Sequence, residues 1–478
     1  MKKRYGTANI YMKIVASLCV YLLSYPAHAE LPASVAYALK QSGIPQTSVG
    51  IYVQEVDETQ PIIAHNAETS MNPASVMKLI TTNAALDLLT PAYRWKTEIY
   101  RDGDLLNGVL HGNLIIKGYG DPSFKAQDFW RLLMALQQAG INEIKGDLII
   151  DKTIFAKNML NQPPFDEEIW RAYNAKSSAF LVDGRHTSFK FSATDAGVNI
   201  SQEFELNEVE IVNKMLLSQT ACGDWRNRFS YIVKPQPKGV SVTFEGVFSP
   251  DCGERYLELS ILNDEQYAFF SFKKLWRELG GIFNGNLKIE QLPDTSTKVI
   301  EQVSEPLAYV IRDMNKWSNN LTARQLLLTL AAEKLGLPAT EAKGAIAVQR
   351  WLQSKNIDAK ELVIENGSGL SRIERVSSQH LGQILVSAYH SPVMPELIAS
   401  LPILGLDGTA QKRLKNNEAQ ARVHLKTGSL DSVSAVAGYV LNKQNKRYVL
   451  VMMVNHSNAA ASRVVQDVLI EYIYSKAM

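Results

Sequence analysis

A change of texture along the chain restricts the fold more than any other feature. Residues 48–56 alternate apolar and polar side chains, which predicts a strand, and a helix is predicted to begin near Ser75. From about residue 95 to 285 short alternating segments and turns predominate, and helical periodicity returns after them. We therefore expect an α/β (α+β) protein whose main domain, residues 30–94 and 286–478, is interrupted by a β-rich insertion, residues 95–285.

Composition is that of a folded protein with several domains. The chain has 478 residues, of which 46% are hydrophobic and 21% are charged. These fractions exclude a disordered, collagen-like or coiled-coil chain. The 50 basic and 48 acidic side chains leave a net charge of +2. Because no block of like charge occurs, we expect no nucleic acid as a partner.

The N-terminus has the layout of a secretory signal peptide. Basic residues at positions 2–4 precede an apolar run of about ten residues, 14–23, which is too short to span a bilayer. Pro26 and small residues follow the run, which predicts cleavage after Ala29 and a signal peptide over residues 1–29. An uncleaved N-terminal anchor is the alternative. We expect a periplasmic protein without a stable membrane span.

Two cysteines, Cys222 and Cys252, lie beyond the predicted cleavage site. In an exported chain two lone cysteines usually form a disulfide, and two free thiols are the alternative. The pair is too small and too widely spaced for a zinc site, and the chain has no His-Glu-x-x-His pattern. No metal is therefore expected.

Three short motifs carry the predicted chemistry, and they occur in the order Ser75-x-x-Lys78, Ser318-Asn319-Asn320 and Lys426-Thr427-Gly428. A serine and a lysine three positions apart at a helix start lie on the same face, so the amine can take the hydroxyl proton. A lysine acts as a base only if its pKa falls well below about 10.4. Burial and a second ammonium nearby, that of Lys426, would lower it.

The third motif lies in a strand pattern and offers groups that bind substrate. Lys426 and Thr427 are candidates for binding a substrate carboxylate, and Gly428 is expected to let the substrate approach the backbone. The backbone N–H of Ser429 can complete an oxyanion hole with that of Ser75.

In the second motif, Ser318 can relay a proton to the leaving amine and Asn320 can hold the amide on the acyl side. Taken singly each motif is weak, because Ser-x-x-Lys recurs at Ser271 and Lys274. Ser271 is therefore a rival nucleophile. Its segment has the pattern of a charged amphipathic helix with a solvated lysine face, so we favour Ser75.

Longer stretches around the motifs are NPASVMKLITTNAAL, KGYGDPSF, NKWSNNLTARQLL, ENGSGLSR, LPILGLDGT and HLKTGSLDSVSAVAGYV. They resemble the D-alanyl-D-alanine carboxypeptidase/endopeptidase family, the class C low-molecular-mass penicillin-binding proteins, from about residue 31 to the C-terminus. The resemblance implies a β-lactamase/transpeptidase-like catalytic domain with helices around an antiparallel sheet. It also implies that the insertion consists of two nested domains, the inner one at roughly residues 185–258.

The resemblance further implies a serine D-alanyl-D-alanine carboxypeptidase and DD-endopeptidase. Such an enzyme acts on peptidoglycan stem peptides and cross-links, needs no cofactor and is inhibited by β-lactams. Ser75 would be the acylated nucleophile and Lys78 its base, and the remaining roles fall to Ser318, Asn320, Lys426 and Thr427. A β-lactamase, which shares all three motifs, and a non-catalytic cell-wall-binding protein are the alternatives.

Four further predictions concern positions outside the motifs. Arg372 is predicted to meet an acidic group on the substrate, with local packing of the side chain as the alternative. Asp151 is a candidate for binding the amine of the substrate's diamino acid, with a plain surface acid as the alternative. Segment 405–409 is expected to be structural. Asn366 stands where the family usually has Asp, which weakens any role for that side chain.

Overall fold

The computed structural model describes residues 31–157 and 164–476. The predicted signal peptide lies outside the described residues, so it stays a prediction. The helices are α1 (Ala33–Gln41), α2 (Met77–Leu89), α3 (Ala126–Gln138), α4 (Asp264–Glu278), α5 (Leu307–Trp317), α6 (Asn320–Leu335), α7 (Glu341–Ser354), α8 (Ser378–Tyr389), α9 (Met394–Ser400) and α10 (Ser462–Ser475). The strands are β1 (Val49–Glu55), β2 (Ile63–His65), β3 (Lys96–Leu106), β4 (Val109–Gly118), β5 (Glu143–Ile144), β6 (Leu148–Asp151), β7 (Thr187–Thr194), β8 (Gly197–Gln202), β9 (Val209–Leu217), β10 (Phe229–Gln236), β11 (Gly239–Phe248), β12 (Arg255–Leu259), β13 (Ile282–Phe283), β14 (Leu287–Ile289), β15 (Thr297–Val303), β16 (Val423–Leu430), β17 (Val433–Leu441) and β18 (Arg447–Asn455).

The first sheet joins strands from both ends of the described chain. Its order is β16-β17-β18-β1-β2, and each neighbouring pair is antiparallel. β1 pairs with β18 along its whole length, from Val49 opposite Val454 to Glu55 opposite Tyr448. Both strands are buried almost throughout, because the sheet is covered by helices on both faces.

The two helical layers have separate cores. On one face α1 and α10 pack against the sheet through side chains that include Val35 and Leu469. On the other face α2 and α5–α9 form a larger cluster around Ile80 and Leu327. None of the helices in the two described ranges combines the length and the apolar content that crossing a bilayer requires.

The β-rich segment forms three further sheets. A seven-stranded mixed sheet has the order β13-β5-β4-β3-β15, with β6 pairing β4 and β14 pairing β6. Two three-stranded sheets complete the segment, one with the order β10-β11-β9 and the other with the order β12-β7-β8. These two meet through edge-to-face contacts of Phe244 with Phe189 and Phe191. A disulfide joins Cys222 to Cys252 in the same region, which confirms the predicted pairing.

This seven-stranded sheet extends further along the chain than the predicted insertion. β14 pairs with β6, and β15 pairs with β3, where Val303 lies opposite Lys96. Both strands belong to residues 286–478, which the sequence analysis assigned to the main domain. Local alternation predicts a strand but not its partner, because pairing is decided by contacts distant in sequence. After β15 the chain returns to the helical core around Ile80 and Leu327 at Leu307 of α5. The division into nested domains stays a prediction.

Candidate active site

Ser75 lies in a single 3₁₀ turn, Ala74–Val76, that leads directly into α2. The sequence predicted a helix beginning near Ser75, and the structure has a tighter turn there before the α-helix begins. Ala74 has a φ of 45°, which is uncommon for a residue other than glycine. Strained backbone of this kind persists only where its surroundings enforce it, and it clusters at functional sites.

Lys78 lies one turn beyond Ser75, within a helix whose residues are buried from Met77 to Leu86. Its side chain is 0% exposed, and its Nζ lies 3.1 Å from Ser75 Oγ. It also donates to Asn320 Oδ1 at 2.6 Å and to the carbonyl of Ser368. Burial, and then the ammonium of Lys426, hold the pKa of Lys78 well below its usual range. An amine in this state can accept the hydroxyl proton of Ser75.

The second motif occupies the tight turn between α5 and α6. Ser318 ends α5 in the left-handed conformation, with a φ of 61° and a ψ of 37°. Asn319 caps α6 by accepting the N–H of Thr322 at 3.0 Å. Asn320 is the first residue of α6. Ser318 and Asn320 both line the cleft that contains Ser75.

The third motif lies on β16, the edge strand of the first sheet. Lys426 is 0% exposed and donates to Ser318 Oγ at 2.9 Å and to the carbonyl of Thr427 at 2.8 Å. Burial lowers its pKa to about 7. Thr427 Oγ1 donates to Thr409 Oγ1 at 2.8 Å, so segment 405–409 supports the site, as expected. The structure thus brings the three motifs together.

Gly428 is required by the packing of the site itself. A Cβ at this position would lie 2.8 Å from the carbonyl oxygen of Pro73 and 3.0 Å from the backbone nitrogen of Ser75. The glycine therefore lets β16 approach the Ser75 turn, and its predicted role in letting substrate approach the backbone stays a prediction. Gly369 approaches the same turn from the opposite segment, where a Cβ would meet the carbonyl oxygen of Ala74 at 1.9 Å.

These elements border a cleft of about 710 Å³ that contains Ser75, Ser318, Asn320, Leu370 and Ser429–Val433. Part of its wall comes from the inserted segment, through Phe165, Asp166 and Tyr173. Sequence reasoning missed these residues, because an aromatic and an acid after two prolines are ordinary loop composition. Asp166 is held in place by the hydroxyl of Tyr173 at 3.0 Å and the side-chain amide of Asn174 at 2.8 Å.

Arg372 stands at the rim of this cleft. Its guanidinium lies 4.4 Å from the centre of the Phe165 ring, and its Nη2 lies 3.4 Å from Asp431 Oδ2. The side chain is half exposed. It therefore packs against two groups that line the cleft, and this leaves its predicted contact with substrate as a proposal.

The prediction for Asp151 is wrong in both of its forms. Asp151 is neither at the cleft nor on the surface, since it is 1% exposed at the end of β6. Its Oδ1 accepts the N–H and the hydroxyl of Thr153, and its Oδ2 accepts the N–H of Leu292 at 3.0 Å. It also pairs with Lys117 at 3.7 Å. The carboxylate stabilises the seven-stranded sheet, because β6 pairs with β4 and β14 inside that sheet.

The rival nucleophile Ser271 is buried on α4, the helix that follows β12 in the β-rich segment. Lys274, its motif partner, donates instead to Glu278 at 2.7 Å. The serine and the amine therefore do not form a pair like that of Ser75 and Lys78.

The chain is similar over most of its length to known enzymes. D-alanyl-D-alanine carboxypeptidase DacB of Haemophilus influenzae is 26% identical over 449 residues, which cover 92% of this chain and 92% of that protein. The D-alanyl-D-alanine carboxypeptidase of Actinomadura sp. (strain R39) is 24% identical over 452 residues, 92% of this chain and 84% of that protein.

A solved structure has the same fold. Penicillin-binding protein 4 of Haemophilus influenzae matches with a TM-score of 0.77 at 24% identity, covering 92% of this chain and 99% of that one. The structure of the same protein in complex with a β-lactam matches with a TM-score of 0.74 at 23% identity, covering 93% of this chain and 100% of that one. This likeness confirms the mixed α/β fold of the β-lactamase/transpeptidase-like type that the resemblance implied.

A family model decides the class of enzyme. The model of the D-Ala-D-Ala carboxypeptidase 3 (S13) family matches residues 31–473, nearly the whole described chain. That range includes all three motifs and the β-rich segment between the first two. The chain therefore belongs to the D-Ala-D-Ala carboxypeptidase 3 (S13) family, and this confirms the serine-type carboxypeptidase that the resemblance implied.

Proposed function

We propose that Ser75 is the acylated nucleophile of a D-alanyl-D-alanine carboxypeptidase and DD-endopeptidase that acts on peptidoglycan. The observation that carries this proposal is the buried amine of Lys78, 3.1 Å from Ser75 Oγ. Since its pKa is lowered, this amine can take the serine proton as Oγ attacks the carbonyl of the penultimate D-Ala.

The oxyanion that forms in this step is held by the backbone N–H groups of Ser75 and Ser429. Support comes from the close approach of β16 to the Ser75 turn, which Gly428 makes possible. Preorganised backbone donors of this kind stabilise the charge that develops in the transition state.

The leaving amine takes its proton through Ser318. The hydroxyl of Ser318 accepts a hydrogen bond from Lys426 at 2.9 Å, so a proton given to the amine can be replaced from that lysine. Water then hydrolyses the ester on Ser75 and returns the enzyme to its starting state.

Substrate binding uses the remaining motif residues. Asn320 offers its Oδ1 to Lys78, so its NH₂ group is the one that donates to the acyl-side amide of the substrate. When substrate binds, the hydroxyl of Thr427 turns from Thr409 and donates to the terminal carboxylate, beside the buried amine of Lys426. Arg372, at the rim, meets an acidic group of the stem peptide.

The substrate is a peptidoglycan stem peptide or a cross-link between two of them. The open cleft of about 710 Å³, walled on one side by Phe165 and Tyr173, is large enough for an extended chain on both sides of the reacting bond. We place the enzyme in the periplasm, where this substrate is found, after removal of residues 1–29. β-Lactams are expected to acylate Ser75 and to be released slowly.

Mass spectrometry after brief exposure to benzylpenicillin tests the proposal. We expect a stable penicilloyl adduct on the peptide that contains Ser75. The variant Ser75→Ala should give no adduct and no release of D-Ala from a D-Ala-D-Ala stem peptide, whereas Ser271→Ala, the matched control, should keep both. An adduct on Ser271 would overturn the assignment. Rapid hydrolysis of the drug without a lasting adduct would indicate a β-lactamase, and persistence of the drug a non-catalytic protein.

A further inference from the structure

Glu374 is a buried carboxylate that the mechanism above does not use. Its side chain is 0% exposed. Its Oε1 accepts the backbone N–H groups of Glu365 at 3.1 Å, Asn366 at 3.0 Å and Gly367 at 2.9 Å. Its Oε2 is buried and has no hydrogen-bond partner within the described part of the chain. Buried polar atoms without partners are rare in native proteins, so this arrangement needs a reason.

The loop that Glu374 holds leads directly to the catalytic amine. Lys78 Nζ donates to the carbonyl of Ser368, the residue after the three N–H donors. Thr81, one turn further along α2, donates to the carbonyl of Gly367 at 2.7 Å. The loop is thereby fixed to the helix that carries Lys78, and its position sets the direction of the amine relative to Ser75.

Charged groups from three elements surround Lys78. Lys426 on β16 and Arg324 on α6 disfavour its protonated form, whereas Glu374 favours it. Three acids favour the charged form of Arg324 in turn, namely Glu341, Glu365 and Glu374. The amines of Lys78 and Lys426 are both buried, and Glu374 is the wholly buried acid among the charges that face Lys78. Burying positive charge without a partner costs free energy, and a carboxylate at this place lowers that cost for the basic groups around Lys78.

We propose that Glu374 is a positioning residue of the acylation step, an inference that rests on the function proposed above. Its hydrogen bonds to the 365–367 loop aim Lys78 at Ser75. Burial raises the pKa of Glu374, while its hydrogen bonds from backbone N–H groups and the nearby amine of Lys78 oppose that shift. In its ionised form Glu374 balances the amines of Lys78 and Lys426 and favours the protonated form of Lys78.

Two variants separate these effects. Glu374→Gln keeps an oxygen for the three N–H groups and removes the charge, whereas Glu374→Ala removes both. Glu278→Gln is the matched control, because Glu278 is half exposed and paired with Lys274 on α4, outside the catalytic cleft. The measurement is the second-order rate constant for acylation by a fluorescent penicillin between pH 5 and 9, with melting temperature as the check on folding.

For Glu374→Gln we expect the acid limb of the rate profile to move to lower pH by about one unit. The sign follows because removing the negative charge disfavours protonated Lys78. For Glu374→Ala we expect acylation to slow at least about tenfold across the pH range, since the amine is no longer aimed. Glu278→Gln should follow the wild-type profile.

A folded Glu374→Gln protein with the wild-type profile would overturn the proposal, and so would a folded Glu374→Ala protein with the wild-type rate. If Glu374→Ala does not fold, the Gln variant decides alone, because its shift in pH is not produced by a loss of stability. If the wild-type protein itself forms no adduct on Ser75, the function proposed above fails, and that failure is visible before either variant is measured.

Discussion

Replacing Gly428 by Ala tests how closely β16 must approach Ser75, the proposed nucleophile. The new Cβ would lie 2.8 Å from the carbonyl oxygen of Pro73 and 3.0 Å from the backbone nitrogen of Ser75. Contacts between carbon and these atoms are normally at least about 3.2–3.5 Å, so the strand and the turn must separate by roughly half an ångström. Gly428 does not have a positive φ, so the alanine itself is not strained.

This separation would disturb the proposed oxyanion hole. Loss of one oxyanion donor costs about 10²–10³ in rate, and a misplacement of about 1 Å costs about 10². A half-ångström separation of the N–H groups of Ser75 and Ser429 should therefore slow acylation by about tenfold to a hundredfold. The assay is stopped-flow acylation by a fluorescent penicillin at pH 7.

A control must separate this effect from a general loss of stability. Gly253 has a φ of 60°, and a Cβ added there would have no other atom within 4 Å. Gly253→Ala should therefore lower stability by about 1–3 kcal/mol through backbone strain without slowing acylation. If Gly428→Ala is folded and acylates at the wild-type rate, the close approach of β16 is not required, and the proposed oxyanion hole loses its support.

Two further predictions concern charge and cross-linking. Lys426→Gln removes the like charge that disfavours protonation of Lys78, so the acid limb of the acylation profile should move to higher pH, opposite to the shift expected for Glu374→Gln; an unchanged limb, measured with the same penicillin at high concentration, would contradict the coupling. Replacing both Cys222 and Cys252 by Ala opens a loop closed over a separation of 30 residues and should cost about 3–4 kcal/mol of unfolding free energy. Urea unfolding checks this second prediction, and a loss below about 1 kcal/mol would contradict it.

The motif residues could be predicted because their chemistry depends on residue types that lie a few positions apart in the sequence. Ser75 and Lys78 are three positions apart, and helical geometry alone brings their side chains to one face. The turn between α5 and α6 similarly keeps Ser318 and Asn320 close. The longer stretches around the three motifs carried the resemblance that indicated the family, and the two lone cysteines were sufficient to predict their disulfide.

Other parts of the site depend on contacts between distant segments, and these could not be read from local pattern. Phe165 and Asp166 line the cleft because the inserted segment folds back over it, and their composition is that of any loop. Asp151 was considered as a substrate contact or a plain surface acid, and it lies buried in the seven-stranded sheet instead, because strand pairing decided its surroundings. Glu374 becomes notable only when the fold buries it beside three backbone N–H groups.

The amino-acid sequence by itself determined the class of enzyme, the nucleophile and base as candidates, and the approximate extent of the helices and strands. These follow from short-range backbone geometry and from the chemistry of side chains that are close together in the sequence. Only the tertiary structure decided which strands pair and where the seven-stranded sheet ends. It also decided that β16 packs so closely against the Ser75 turn that position 428 has no room for a Cβ. Burial also lowered the lysine pKa values, because desolvation depends on every segment that packs against a group and not on its neighbours in sequence.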